Sequence, residues 1–421
     1  MSGDIVLDYP VESEFVKALK EAQRKEDYAC VQTLLTEASK ENPNIIIELS
    51  NDDWMKDPDV DLPPAVLLGL WSLEYKRELT SPLCIAAAQG FSECLQYLLE
   101  HGAHPNLIAG GKAALHEACA NANTECVELL LEHGANPNQM TDEGLTALHL
   151  CRTPQSLRCA KALVRYGAKV NSPSEEEEET PLHVASRHGL PHHAQLYLRF
   201  GACVNHGSSS GETPLGVVCG VAPEKTDNSQ DEQYLEICRL LLAYGAQINL
   251  SDEERRSPLH KAARNVQLKV VELLLDHGAD ISAIDYNGCS PLSSVLQSSV
   301  VRQGWEPHRV VQTLLNRGSI KVWPQALLKV NTKIIVLTAC AEAPKTVEIL
   351  FNSYTLDIFH LHRTFYESLF ALEYKPRSLQ HLCRSALRKE FGKNCCSLIP
   401  RLPIPKPLEQ YLLLEPEGYI D

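Results

Sequence analysis

Two groups of residues have the right types for metal chemistry: His183, His188, His192 and His193 in one short stretch, and His381, Cys383, Cys395 and Cys396 near the C-terminus. Imidazole and thiolate are the usual zinc ligands. Neither group has ligand spacing, because "GLP" at 189–191 breaks the helical register before the last two histidines and the second group has no Cys-x-x-Cys pair. "AGGKAAL" at 109–115 sets Lys112 after two glycines, as in a phosphate-binding loop. No Gly stands five residues before Gly111, however, and Ala113 replaces the required Ser or Thr. No catalytic residue, metal site or cofactor is expected.

The chemistry left over belongs to binding. In "SLQHLCRSAL" (378–387) Leu379, Cys383 and Leu387 fall four residues apart, on one apolar stripe of a helix, while Arg384 and Arg388 point elsewhere. "LPIPKPLEQYL" follows at 402–412, and its alternating prolines, Pro403, Pro405 and Pro407, cannot continue a helix and favour a stiff extended segment. From Lys375 to Lys406 there are eight Lys or Arg and one acid, a locally basic end that would steer an acidic partner. Farther upstream, Glu175, Glu176, Glu177, Glu178 and Glu179 form an unbroken run. Such a run is either a solvated loop or an attractor for a basic segment of a target.

These residues must be held by elements whose class the composition narrows. The chain has 421 residues, 44% of them hydrophobic, enough for a large core. A net charge of -15 disfavours nucleic acid as a partner, since phosphate contacts need clustered cations. "MSGDIVLDYPVESEF" has no signal-peptide pattern and "IIVLTAC" at 334–340 is too short to cross a bilayer, so no membrane association is expected. The expected location is cytoplasmic, with the nucleus also open. Fifteen Cys without framework spacing predict reduced thiols acting as small apolar fillers.

Internal repetition dominates the middle of the chain. The segments "TSPLCIAA", "AALHEAC", "TALHLC", "TPLHVAS", "TPLGVVC", "SPLHKAA" and "SPLSSVL" place a Leu at 83, 115, 148, 182, 215, 259 and 292. Five of those six spacings are 32 to 34 residues and one is 44. Ser or Thr supplies an N-cap, Pro suits the first helical position, and Leu with Ala buries a short helix. A second helix follows, closed by Gly102, Gly134, Gly167, Gly201, Gly245, Gly278 or Gly318, because a left-handed cap favours Gly. Units this thin hide their apolar faces only by stacking. Segments 221–232 and 297–308 lengthen the fifth and seventh units. They read as tolerated surface loops or as dedicated partner contacts. The stretch 13–40 has helical periodicity and predicts an N-terminal helix pair capping the stack, whereas Asn42 to Leu79 has no repeat signature.

The repeated residues resemble the ankyrin repeat, whose period is about 33 residues, and residues 364–421 resemble a SOCS box. Together they are similar to the ankyrin repeat and SOCS box family, substrate receptors of Elongin–cullin–RING ubiquitin ligases. The resemblance implies an all-α fold, an ankyrin-repeat solenoid of helix pairs with hairpin loops followed by a small helical SOCS box. After the N-terminal helical flank and linker (1–79), the chain is expected to divide into seven ankyrin repeats (80–319), a helical connector (320–363) and the box (364–421). The resemblance further implies that Leu379, Cys383 and Leu387 bind Elongin C, which is accompanied by Elongin B. Leu402, Pro403, Ile404 and Pro405 would meet cullin 5, which carries a RING-box protein. An unknown protein substrate would lie on the repeats, with Glu175 to Glu179 as a contact. Asn106, Asn138, Asn171, Asn205 and Asn249 are expected to brace turns through side-chain bonds, and the resemblance makes them candidates for asparaginyl hydroxylation. The competing function is an ankyrin scaffold that joins no ligase.

Overall fold

The computed structural model describes residues 8–10, 13–40, 42–50, 77–222, 228–299, 302 and 305–319, with positions 387, 391, 398–404, 406, 409, 412 and 413. Leu379, Cys383, Pro405 and the connector expected at 320–363 lie outside the described residues. Two compact units, Met1–Cys203 and Val204–Asp421, divide the chain.

In the first unit the predicted N-terminal pair is present as α1 (Glu14–Arg24) and α2 (Tyr28–Ala38). Ser13 and Asp27 cap them, accepting from the backbone N–H groups of Val16 and Cys30. The flank also holds an element that periodicity did not predict: β1 (Ile47–Ser50) pairs antiparallel with β2 (Arg77–Thr80), Ile47 opposite Thr80. The helix pairs follow: α3 (Pro82–Gln89) with α4 (Ser92–Glu100), and α5 (Ala114–Ala120) with α6 (Thr124–Glu132). The third repeat departs from its neighbours. Its first helix shrinks to a 3-10 turn, Ala147–Leu150, before a second at Pro154–Ser156 and then α7 (Leu157–Arg165). Pro154 explains this, because the residue before a proline avoids the helical region and Thr153 is extended at φ -125 and ψ 153. α8 (Pro181–Arg187) and α9 (Pro191–Arg199) complete the unit. First helices pack on first helices and second on second, with α2 covering α3 and α4 at the N-terminal end.

The second unit repeats this arrangement with α10 (Pro214–Gly220) and α11 (Asn228–Ala243), α12 (Pro258–Arg264) and α13 (Leu268–Asp276), and α14 (Pro291–Ser298) and α15 (Pro307–Asn316). The polar insertion expected as loop at 221–232 is partly absorbed into α11, which begins at Asn228 and carries Asp231 in its first turn, where an acid opposes the helix dipole.

The repeated Leu side chains form the core. Leu83, Leu115, Leu148, Leu182, Leu215, Leu259 and Leu292 are all buried, each contributing about 1.5–3 kcal/mol of apolar transfer free energy. Eight of the described cysteines are buried beside them and all are free thiols. Burial pushes Cys84, Cys94, Cys126 and Cys159 up to about 11, so they pack as neutral apolar groups. The capping glycines have φ between 84 and 95, a region that a side chain would strain.

Candidate functional site

The His of the repeat signature is a structural device where it occurs. In the third repeat the backbone N–H of Thr146 donates to His149 Nδ1 at 3.1 Å, and His149 Nε2 lies 2.8 Å from the Glu179 carbonyl in the next repeat. Because Nδ1 accepts, the network assigns the proton to Nε2, which donates onward. His116 and His260 repeat this, reaching the carbonyls of Gln139 and Cys289. Burial holds His149 down at about 4 and lowers His116 and His260. Where the repeat lacks His, at Cys84, Gly216 and Ser293, the N-cap hydroxyl of Ser81, Thr213 or Ser290 accepts the third backbone N–H directly. The two caps are alternatives. Of the crowded histidines, His183 binds Thr180 in this way and His193 is buried with Nε2 at 3.2 Å from Ser156 Oγ. Among the described residues no group of three or more His, Cys, Asp or Glu could hold a metal ion.

The five asparagines do make side-chain bonds to backbone, and the bonds cross to the following repeat. Asn138 Nδ2 donates to the Gly167 carbonyl at 3.1 Å while its Oδ1 accepts from the Lys169 N–H at 2.7 Å. Asn106 does the same to Gly134 and Asn136, Asn171 to Gly201 and Cys203, and Asn205 to Gly245 and Gln247. Asn249 Oδ1 accepts from Asp280. A primary amide offers a donor and an acceptor side by side, matching the carbonyl and N–H that a helix end leaves unsatisfied. Asn44 was missed. It donates to the Gly102 carbonyl and accepts from the His104 N–H, so the ladder starts in the flank. The dipeptide Pro43-Asn44, repeated as Pro105-Asn106 and Pro137-Asn138, was the signal available.

The acidic run divides. Glu175, Glu176, Glu177 and Glu178 are exposed on the loop before α8. Glu179 is only 7% exposed, pairs with Arg187 on α8, and exchanges backbone and side-chain bonds with Ser174. The expectation of five solvent-facing carboxylates is corrected to four, because the last is drawn inward by a cation one helix away.

Near the C-terminus, Ile399 and Leu412 are buried against each other, with Leu387, Phe391, Leu402, Ile404 and Leu413 packed around them. A 3-10 turn, Ile399–Arg401, leads into Leu402, extended at φ -71 and ψ 139. The chain then bends: the Ile404 N–H donates to the Leu402 carbonyl at 2.8 Å, closing a tight turn about Pro403. The stiff extended segment expected there is therefore bent at its first proline. Leu387, Leu402 and Ile404 are half-buried in this small core, while Pro403 is exposed. Asn316 at the end of α15 donates to the Leu413 carbonyl at 2.6 Å, fastening this core to the last repeat.

Family models described as Ankyrin repeats (3 copies) match residues 11–141, 83–174, 115–206 and 229–325, and one described as SOCS box matches 375–413. The chain is 44% identical to human Ankyrin repeat and SOCS box protein 18, over 100% of this chain and 99% of the relative. Human Ankyrin repeat and SOCS box protein 10 is 40% identical over 94% of this chain and 86% of its own length. Human Ankyrin repeat and SOCS box protein 16 is 39% identical over 84% and 78%.

Proposed function

The chain belongs to the ankyrin repeat and SOCS box family, and from that premise we propose that it is the substrate-recognition subunit of an Elongin B/C–cullin 5–RING ubiquitin ligase. The observation that carries the proposal is a SOCS-box match at 375–413 following ankyrin-repeat matches on the same chain. Ubiquitin transfer then proceeds by proximity. The repeats hold a target, the box recruits the Elongins and the cullin, and the target's lysines meet a charged conjugating enzyme at raised effective concentration. No side chain of this protein takes or gives a proton in that scheme, and it acts as a non-catalytic adaptor.

The apolar stripe of Leu379, Cys383 and Leu387 is assigned to Elongin C, with Leu387 sharing its surface between partner and box core. Leu402, Pro403, Ile404 and Pro405 are assigned to cullin 5. Exposed Pro403 is the described member with its surface turned to solvent. Gel filtration of the purified chain with Elongin B and C tests the proposal. Co-elution as a stoichiometric complex is expected, and separate elution would support the scaffold alternative.

A further inference from the structure

Two insertions set the second unit apart from a plain array of repeats, and both close on one turn. Residues 221–232 lengthen the fifth repeat and 297–308 the seventh, and between them stands the turn Asn265–Gln267, which joins α12 to α13. From the first insertion the Val221 carbonyl accepts from Gln267 Nε2 at 2.8 Å. From the second, Arg302 donates to the Asn265 carbonyl at 3.1 Å. Val266, at the centre of the turn, is buried and held left-handed at φ 58, a region that a β-branched residue resists. The equivalent positions, two residues before the second helix, are Gly90, Ala122 and Gly189 in the first, second and fourth repeats. Such strain persists only where the surroundings impose it, and it clusters at binding sites.

The arrangement surrounds a cavity of about 230 Å³. Val266, Leu268 and Val270 of the sixth repeat line it, together with Tyr234 on α11 and Trp305 of the second insertion. The charges around it are balanced. Asp231 and Glu306 oppose Lys269 and Arg309, with Arg309 paired to Glu306 at 2.9 Å and Lys269 to Glu232 at 3.2 Å. Gln267, which also lines the cavity, adds an unmet demand: its Oε1 is buried and accepts no hydrogen bond among the described residues, while Nε2 is committed to Val221. The volume lies below the roughly 300–1,000 Å³ of cofactor sites and leaves room for about one large side chain.

Each property narrows the occupant. Apolar and aromatic walls favour a flat ring, balanced charge gives no advantage to an ion, and the orphan acceptor calls for a donor. The indole of tryptophan is the neutral, largely apolar side chain that carries a donor and no acceptor. We propose that this cavity receives a tryptophan side chain from a linear segment of the target protein, its ring against Trp305 and Tyr234 and its Nε1–H donated to Gln267 Oε1. The proposal rests on the repeats being the target-binding module, and it makes the two insertions a dedicated partner contact.

The test uses the full-length chain and a display library of random linear peptides, with affinities of synthetic versions read by fluorescence anisotropy. Enriched peptides should share a Trp, with no fixed acidic or basic residue beside it. Replacing that Trp by 1-methyltryptophan, which keeps the ring and removes the donor, should weaken binding about fivefold or more, and replacing it by Ala should remove binding. Trp305→Ala and Tyr234→Ala should each weaken it about tenfold or more. In Gln267→Met the methylated and unmodified peptides should bind alike, because the amide oxygen is gone. Circular dichroism and melting temperature show that each variant is folded. The peptide should also slow amide exchange in 266–270 and 305–309 of the unaltered chain, which locates it without any variant. No enrichment, peptides lacking Trp, equal affinity of the methylated peptide, or unchanged exchange in 266–270 would each overturn the proposal. Enrichment of Lys or Arg in place of Trp would refute it by assigning the cavity to a cation, and dimerisation in sedimentation that Trp305→Ala abolishes would refute it by assigning the cavity to a second copy. Elongin B/C capture by the same preparations separates the two levels: failure of the peptides with capture intact refutes the cavity alone, and failure of capture refutes the ligase assignment while the peptide result stands.

Discussion

Asn316 donates its side-chain amide to the main-chain carbonyl of Leu413 at 2.6 Å, joining the last repeat helix to the chain's terminal apolar core. Gln312, one turn earlier on the same helix, reaches the same carbonyl at 3.5 Å. Ile399 and Leu412, the buried pair among the described residues of the box, gain stability from such an attachment. Asn316→Leu should remove the shorter of the two bonds and leave the carbonyl to Gln312 alone, costing about 0.5–1.5 kcal/mol. Hydrogen exchange is expected to speed up in 398–413 while protection in α3 to α9 stays as in wild type. Equal protection in 398–413 would show that the bond does not hold the box.

Stability should fall in mild acid, with His149 as a principal cause. Burial holds its folded value at about 4 against an ordinary value of 6.5. The unfolded chain therefore binds the proton first. The stabilisation is complete above pH 6.5 and is lost as pH falls toward 4, amounting to about 3 kcal/mol at 1.36 kcal/mol per unit. His193, also held at about 4, adds to the same trend. Denaturant melts from pH 7.5 to 4.5 should show this slope, and His149→Gln should flatten it while lowering stability at neutral pH.

The asparagine ladder predicts an ordered pair of substitutions. Asn138→Ala removes both bonds to the next repeat and should cost about 1–3 kcal/mol. Asn138→Asp keeps the acceptor for Lys169 but loses the donor to Gly167, and should fall between alanine and wild type. Thermal melts of the three proteins give the order directly.

Within the glutamate run the expected effects are opposite in kind. Glu176→Lys, on the exposed loop, should change stability by no more than about 0.5 kcal/mol. Glu179→Lys buries a cation against Arg187 and should destabilise the first unit by several kcal/mol. Chemical denaturation distinguishes the two.

The solenoid was legible because its signal is a period. Seven Leu positions in register, six of them preceded by a Ser or Thr cap and each followed by a helix-closing Gly, leave little choice of fold. Where no period exists, the sequence falls silent. β1 and β2 are four-residue strands that meet across a long intervening segment, and nothing local in "IELS" or "RELT" announces the partner. Glu179 looks like its four neighbours, and only the fold brings Arg187 beside it. The terminal stripe shows a different limit. The resemblance names Leu387 as a partner contact, and the structure adds that its side chain also packs on the Ile399 and Leu412 cluster, because a small domain must fill its own centre.

The most direct measurement of the central claim is quantitative co-purification of Elongin C and cullin 5 with the chain from cells, compared among wild type, Leu379→Arg and Pro403→Ala. A charge at position 379 would be buried unpaired in an apolar pocket, costing several kcal/mol, so both partners should vanish together. Pro403 is exposed and contributes little to the box core, so its replacement should reduce cullin 5 while Elongin C stays near wild type. Neither partner in the wild-type sample, or cullin 5 undiminished by Leu379→Arg, would contradict the assignment of this protein as an Elongin–cullin receptor.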